Sequence, residues 1–165
     1  LCHPEPDNLN QLKDSGIDTV EFLLSPNPGE KPKPLHKIAS GGELSRLMLA
    51  LKSADKDQKK SKTLIFDEID AGIGGKTADF VAQKLRSLSK QNQVICITHL
   101  PQIASYASHH YRIEKIVRNN RTYTKVKKLT KNERIGEIAK LLGGSHITDT
   151  TLKNAKEMLE NNLSK

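Results

Sequence analysis

Two short apolar runs separated by one helical stretch most constrain the fold of this chain. The runs read TLIF and QVICIT, at residues 63–66 and 93–98. Between them, Val81, Leu85 and Leu88 recur at the spacing of one helix face. A strand, a helix and a second strand in this order predict a pair of parallel strands. We therefore expect an α/β fold.

Upstream of the first run, the sequence predicts a strand, a loop and a helix. Residues 18–25, DTVEFLLS, predict the strand, and PNPGEKPKPL, residues 26–35, predicts an extended loop because of its prolines. After Ser40, apolar residues recur at the i, i+3, i+4 and i+7 positions of an amphipathic helix: Leu44, Leu47, Met48 and Leu51. The lysine-rich segment KSADKDQKKSK then predicts a solvated connection.

The carboxy-terminal third predicts a hairpin between helices. Pro101 suits the first position of a helix. The runs YRIEKIV and TYTKVKKL flank RNNR, which suits a hairpin turn because Asn tolerates positive φ. Two further helices are predicted, lined by Ile135, Ile138, Ala139 and Leu142 in the first and by Leu152, Ala155 and Leu159 in the second. Gly143 and Gly144 end the first of them.

Composition and charge narrow the class of protein. A length of 165 residues, with 35% hydrophobic and 28% charged residues, fits one globular domain. Cys2 and Cys96 lack zinc-site spacing, and no apolar run approaches membrane-spanning length, so a reducing, cytoplasmic setting is expected. The net charge of +8 permits a polyanionic partner such as nucleic acid, although surplus lysines more often form a solvated surface.

The segment LIFDEIDAGIGGKT ends in Gly75, Lys76 and Thr77, as a phosphate-binding P-loop does. A P-loop also needs a glycine five residues before its last glycine, where the backbone bends around the phosphates. Asp70 stands at that position. The spacing therefore argues against a P-loop, and the chain contains no other Gly-Lys-Ser or Gly-Lys-Thr.

The segment ASGGELSR carries a candidate anion site. Ser40 and Glu43 match a helix capping box, which explains both residues structurally. It does not explain Gly41 and Gly42, since each glycine in a helix costs about 1 kcal/mol relative to Ala. A helix N-terminus without Cβ atoms exposes N–H groups that can bind phosphate. On spacing alone, capping and phosphate contact both stay open.

Polar residues follow both predicted strands. Asp67 and Glu68 follow TLIF, and His99 follows QVICIT. Because ligands of parallel sheets gather at the carboxyl ends of strands, adjacent strands would bring these three side chains to one edge. An Asp there can bind Mg²⁺, a Glu can orient an attacking water, and a His can bond a phosphate oxygen. A solvated acidic turn and a capping histidine are the structural alternatives.

Taken in order, these motifs resemble those of the ABC ATPase superfamily. SGGELSR is similar to its signature motif, TLIFDEID to its Walker B strand and ITHLPQIA to its switch-histidine segment, and Asp70 to Gly72 occupy the place of its D-loop. Glu43 stands where transporters commonly carry Gln, which points to the SMC-like branch of chromosome-maintenance and repair ATPases. From about Val20 onward, IFDEIDAGIGGKTA, VICITHLPQIAS and IAKLLGG more narrowly resemble the carboxy-terminal part of the RecN family of bacterial DNA repair proteins.

The resemblance implies a partial P-loop NTPase of ABC type, the lobe that carries the signature, Walker B, D-loop and switch histidine. Two such heads would sandwich two ATP molecules, so that the signature of one head contacts the nucleotide of its partner. Asp67 would hold Mg²⁺, Glu68 would orient or deprotonate the attacking water, and His99 would contact the γ-phosphate. The remaining implied nucleotide-binding residues are Ser40, Gly41, Gly42 and Glu43 in the signature and Asp70 at the dimer seam.

Domain organisation and partners follow from the same resemblance. Residues 1–18 are expected to form the end of a coiled coil or a linker, and residues 19–165 the C-terminal half of the head. In this family the Walker A element lies near the amino terminus, beyond a long coiled coil. ATP and Mg²⁺ would therefore need that N-terminal half and a second head, and ATP hydrolysis is expected of the parent protein. DNA would be a further partner, in double-strand break repair and recombination on the bacterial nucleoid.

A basic stretch marks a candidate DNA-contacting surface. Eight Lys or Arg residues lie between Lys115 and Arg134, over the predicted hairpin and into the next helix. The interleaved Tyr111 and Tyr123 are expected to pack the hairpin rather than to stack on bases.

Three other classes of protein stay open. A non-enzymatic basic module that binds nucleic acid or a partner protein would tolerate the loss of Glu68. A self-contained P-loop enzyme would bind nucleotide through Lys76. A transporter ATPase is disfavoured by Glu43 and by the RecN-like stretches.

Overall fold

A computed structural model describes residues 20–25, 29–38, 40–55 and 61–163 of the chain. The chain divides between Ser40 and Gly41 into two compact units. Residues 1–18, expected to form the end of a coiled coil or a linker, lie outside the described residues. The larger unit alternates strands and helices, which confirms the predicted α/β class.

The smaller unit is a short antiparallel ladder followed by one helical turn. Its elements are strand β1 (Leu23–Leu24), strand β2 (Lys33–Pro34) and helix α1 (Leu35–Ile38). Within the described part of the predicted strand, only β1 is a strand, and β2 lies inside the predicted loop. The ladder is short because Pro32 and Pro34 have no N–H to donate. Residues 26–28 of that predicted loop lie outside the described residues.

Helix α2, Gly41–Ala54, opens the larger unit and confirms the helix predicted after Ser40. It joins the core through Leu49. The apolar spacing does not identify the buried face of this helix, since Leu44, Met48 and Leu51 are all exposed. Periodicity identifies the helix, but the side that becomes buried depends on which neighbour covers it.

The predicted strand, helix and strand form the centre of the larger unit. They are β3 (Thr63–Phe66), α3 (Gly75–Leu88) and β4 (Gln93–Cys96). The two strands are parallel and in register, with Thr63 opposite Gln93 and Phe66 opposite Cys96. Val81, Leu85 and Leu88 of α3 are buried, as their spacing predicts.

Within the described part of the larger unit, this strand pair is covered on one face only. Strand side chains alternate between faces, and the inner ones, such as Phe66, pack on α3 and on the core. On the outer face, Ile65, Ile95 and Ile97 are 67%, 44% and 49% exposed. The described part of the larger unit therefore leaves an apolar sheet face open to solvent.

The hairpin follows a short helix. The elements are α4 (Pro101–Ser105), β5 (Tyr111–Arg118) and β6 (Arg121–Lys128). Pro101 stands in the first turn of α4, and β5 pairs antiparallel with β6. Asn119 and Asn120, with φ of 49° and 53°, form the two-residue turn, so the predicted hairpin and its turn are confirmed.

Two helices in contact with each other follow the hairpin and form a second core. They are α5 (Lys131–Gly143) and α6 (Asp149–Leu163). Their buried apolar residues, with one from α4, are Ala104, Ile138, Ala139, Ala155 and Leu159. Leu142 and Leu152, predicted to line the same faces, stay exposed at the rim. Gly144 ends α5 with φ of 66°, as predicted.

Polar contacts fix this second core to α4. The Asn162 side-chain amide donates to the buried Ser105 hydroxyl at 2.8 Å, and the Arg134 guanidinium donates to the Ala107 carbonyl at 2.7 Å. Thr130 and Glu133 form a capping box at the start of α5. Among the described residues, no helix is both long and apolar enough to cross a membrane.

Candidate functional site

The carboxyl ends of β3 and β4 lie side by side and open into two loops, residues 67–74 and 97–100. The first loop carries Asp67, Glu68 and Asp70, and the second carries His99. The parallel register thus brings the acidic strand end and the histidine to one edge of the sheet, as the sequence predicts.

Asp70 joins the two loops through a buried carboxylate. Its Oδ2 atom accepts from the Thr98 hydroxyl at 2.6 Å and from the His99 backbone N–H at 2.8 Å. The His99 Nδ1 atom lies 2.9 Å from the same oxygen. Burial raises the pKa of Asp70, but the Thr98 and His99 bonds outweigh it, so the pKa lies below its ordinary value. The carboxyl is therefore ionised at neutral pH.

The His99 ring is anchored at one end and open at the other. Its side chain is 74% exposed, whereas the side chain of Asp70 is 5% exposed. Within the described residues, the ring makes no hydrogen bond other than the one through Nδ1. Nε2 is therefore the ring nitrogen that can meet a ligand.

Asp67 and Glu68 lie exposed at the end of β3. The Asp67 Oδ1 atom accepts from the Glu68 backbone N–H at 2.9 Å, which orients the Asp67 carboxylate. Glu68 has a φ of 54°, an uncommon value for a residue with a Cβ. The chain turns sharply there, and the Ala71 N–H donates to the Glu68 carbonyl at 3.0 Å.

The carboxylates at this edge do not form a preassembled metal-binding cluster within the described residues. The described residues contain no group of three or more His, Cys, Asp or Glu side chains that could hold a metal ion. Mg²⁺ often binds through one or two carboxylates, with waters and substrate phosphates completing its shell. Asp67, exposed and oriented, fits that use.

Two residues of α2 hold the loop that follows β3. The Ser45 hydroxyl donates to the Asp67 carbonyl at 2.7 Å. The Arg46 guanidinium donates to the carbonyls of Ile69 at 3.2 Å and Ala71 at 2.8 Å. Sequence reasoning missed both residues, although they end the segment SGGELSR. The sequence carries no specific signal for these contacts, because every residue of the loop offers a backbone carbonyl to an Arg or Ser donor.

Gly41 and Gly42 approach the same loop too closely for side chains. A Cβ atom on Gly42 would lie 2.8 Å from both the Glu68 carbonyl oxygen and the Ala71 Cβ. A Cβ on Gly41 would overlap the Glu68 carboxylate. The two glycines therefore have a structural cause in this chain, the close packing of α2 on the loop, beside the phosphate contact that the sequence suggests. Ser40 lies in the other unit, and Glu43 lies half-buried in the first turn of α2.

The GGKT segment begins helix α3. Gly74 is its N-cap and Lys76 is exposed in its first turn. A strand, a loop and a helix thus occur in the order of a P-loop. However, the loop folds around the buried Asp70 carboxylate, and a negative charge inside the loop would repel phosphate.

Near the same edge, Cys96 is a free, half-buried thiol. Burial, with smaller contributions from Asp70 and Asp67, raises its pKa to about 12. The thiol therefore stays protonated at neutral pH and is not a nucleophile there.

The basic hairpin divides its cations between two faces. Arg118, Arg121, Lys125 and Lys127 share one face, because strand residues alternate and Arg118 pairs with Arg121. Lys128 lies on the other face. Lys127 is bonded to Glu133, and this bond, with those from Thr130, lowers the pKa of Glu133 to about 2.

Comparison with known proteins finds close sequence relatives. The chain is 50% identical over 153 residues to the DNA repair protein RecN of Haemophilus influenzae, covering 93% of this chain and 27% of that protein. It is 48% identical over 150 residues to RecN of Bacillus subtilis, covering 91% of this chain and 26% of that protein. No protein-family model matches the chain.

One solved structure, from work on the "structural biochemistry of ATP-driven dimerization and DNA stimulated activation of SMC ATPases", aligns with a TM-score of 0.47 and 21% identity. The alignment covers 75% of this chain and 81% of that one. This likeness is too weak to establish a shared fold.

Both of these relatives are bacterial DNA repair proteins. In particular, the chain is similar in sequence to a segment of RecN. The resemblance to RecN that was expected from the sequence is therefore confirmed. The chain spans about a quarter of the length of these relatives.

The two glycines of α2 allow a test of this packing. We expect Gly42→Ala to destabilise the chain by about 1–3 kcal/mol, since neither the Glu68 backbone nor Ala71 can move aside easily. Gly41→Ala should change stability by less than about 1 kcal/mol, because only the flexible end of Glu68 must move and Ala favours the helix. Denaturant unfolding of both variants measures the difference, and equal effects would contradict the described packing.

Proposed function

We propose that the chain is the carboxy-terminal half of a split ABC-type ATPase head in an SMC-like DNA repair protein of the RecN kind. The observation that carries the proposal is the sheet edge, where three motifs far apart in sequence are joined by direct contacts. Arg46 of α2 binds the loop after β3, and Asp70 of that loop binds His99. The similarity to RecN supports the same assignment.

The open sheet face supports the idea of a half head. On this face the exposed side chains are Ile65, Ile95 and Ile97. A segment that covered them would stabilise the fold, because burying an apolar side chain contributes about 1.5–3 kcal/mol. We propose that the amino-terminal half of the same protein covers this face and brings the Walker A element. The chain has no Gly-Lys-Ser or Gly-Lys-Thr apart from GGKT, which Asp70 disfavours as a phosphate loop.

Each site residue then has a proposed role. Asp67 would hold Mg²⁺, which would neutralise charge on the phosphates of ATP. Glu68 would orient or deprotonate the attacking water, and His99 would contact the γ-phosphate through Nε2. Ser40, Gly41, Gly42 and Glu43 would contact the ATP held by a second head, and Asp70 would lie near the seam. Such a site accelerates hydrolysis by positioning and electrostatic stabilisation.

The split head predicts where nucleotide binding occurs. Calorimetric titration of Mg-ATP should give no heat of binding with this chain alone and clear binding once a separately made amino-terminal half is added. Lys76→Ala should not change the second result, because Lys76 is exposed in the first turn of α3 and has no proposed phosphate contact. Tight binding by this chain alone, lost in Lys76→Ala, would instead establish a self-contained P-loop enzyme.

The role of Glu68 predicts a trapped state. In the complete protein, Glu68→Gln should slow ATP turnover by about a hundredfold or more and weaken nucleotide binding little, so that an ATP-bound dimer accumulates. ATP turnover under saturating Mg-ATP measures the loss of rate. Light scattering of the protein with Mg-ATP measures the accumulated dimer. Hydrolysis at the unsubstituted rate would overturn the role of Glu68, whereas an unsubstituted protein without ATP turnover would support the rival class, a non-enzymatic basic module.

DNA contact is proposed for the hairpin face that carries Arg121 and Lys125. Neutralising both residues, as Arg121→Gln with Lys125→Gln, should reduce the slope of log binding constant against log salt by about 1–2. Lys128→Gln on the opposite face and Lys127→Gln, whose cation already binds Glu133, are matched controls with smaller expected changes. An unchanged slope in the double variant would remove this face from the DNA interface.

A further inference from the structure

We propose that Asp70 is the positioning residue of His99, and that its buried carboxylate fixes the ring by Nδ1 and reserves Nε2 for the phosphate. The role at phosphate rests on the function proposed above for His99. The fixing of the ring rests only on contacts within this chain.

One oxygen of the Asp70 carboxylate contacts both the backbone and the ring of His99. Three donors converge on one Asp70 oxygen: the Thr98 hydroxyl, the His99 N–H and the His99 ring, at 2.6, 2.8 and 2.9 Å. The Thr98 hydroxyl oxygen also accepts from the Leu100 N–H at 3.0 Å, which ties the loop after β4 to the same point. Both the backbone and the ring of His99 are therefore held by one carboxylate.

The Asp70 carboxylate selects the tautomer of the ring. An ionised carboxylate only accepts hydrogen bonds, so the Nδ1 atom of His99 must carry a proton. A neutral ring then presents a bare Nε2, and a ring with a second proton presents an Nε2–H donor. In either state the atom that faces a ligand is Nε2, because the partner of Nδ1 decides which nitrogen is free.

The Asp70 carboxylate is itself held in place. Arg46 binds the carbonyls of Ile69 and Ala71, the residues on each side of Asp70. The position of Asp70 therefore depends on the docking of α2 as well as on the strand pair. A carboxylate fixed from two sides can hold a ring that is itself three-quarters exposed.

The ring tautomer can be measured without any ATPase activity. Long-range ¹H–¹⁵N correlation spectra of the labelled chain, recorded over a range of pH, identify the protonated nitrogen of the neutral His99 ring. His99→Gln assigns the signal. We expect the Nδ1–H form in the unsubstituted chain and in Asp79→Asn, a control whose carboxylate binds Tyr106 and Gln83 instead. Asp70→Ala should lose that form.

Two results would overturn the positioning role. One is an Nε2–H tautomer of His99 in the unsubstituted chain, a measurement that needs no variant to fold. The other is an Nδ1–H form of His99 that persists unchanged in Asp70→Ala. Asp70→Asn should retain part of the Nδ1–H form, since its amide oxygen can accept the same bonds.

Kinetics of the complete protein tests the consequence at phosphate. We expect Asp70→Ala to lower kcat by between about tenfold and a hundredfold with little change in KM, and to cause no further loss in a His99→Ala background. Multiplying losses in the double variant would overturn the inference. If His99→Ala alone costs nothing, the proposed function of His99 fails, and the spectra still decide whether Asp70 fixes the ring.

Discussion

The parallel pairing of β3 with β4 determines where the candidate site residues of the larger unit can lie. Because Phe66 stands opposite Cys96, the loops that follow both strands leave the sheet at the same edge. Residues about thirty positions apart in sequence, Asp70 and His99, then come within hydrogen-bonding distance. A shift of one residue in this register would turn the inner side chains to the open face and separate the two loops.

A buried carboxylate between two loops is stable only if its bonds replace water. Removing a polar group from water costs several kcal/mol without partners, and Asp70 compensates with three donors on one oxygen. All three donors belong to Thr98 and His99, so the Asp70 carboxylate joins the loop after β3 to the loop after β4. This requirement explains why Thr98, next to the histidine, carries a hydroxyl.

The sequence predicted those elements whose pattern is local. Alternation and turn chemistry suffice for β3, β4 and the hairpin at Asn119 and Asn120, because each is determined by neighbours in the chain. Burial is a property of the neighbours in space. The apolar residues spaced like Leu44 predict the helix correctly but not its buried face. The reason is that the sequence of a helix does not show which neighbouring element packs against it.

The candidate site was predictable as a set of residue types but not as a set of contacts. The spacing of Asp67, Glu68 and His99 from their strands placed them at one edge. It could not show that Asp70 faces inward, since alternation ends where the strand ends. The capping box at Thr130 could have been found, because Thr and Glu three residues apart before a helix are its sequence signal.

The contact of α2 with the loop after β3 also explains the backbone of Glu68. A positive φ costs a residue with a Cβ about 1–2 kcal/mol, and that cost must be offset nearby. A hydrogen bond from a charged donor contributes about 1.5–3 kcal/mol, and Arg46 makes two such bonds to the same turn. The Glu68 carboxylate also lies against Gly41, so its direction is set by the first turn of α2. Docking of this helix therefore sets both the strained turn at Glu68 and the anchor of His99, and it makes α2 part of the site rather than a neighbour of it.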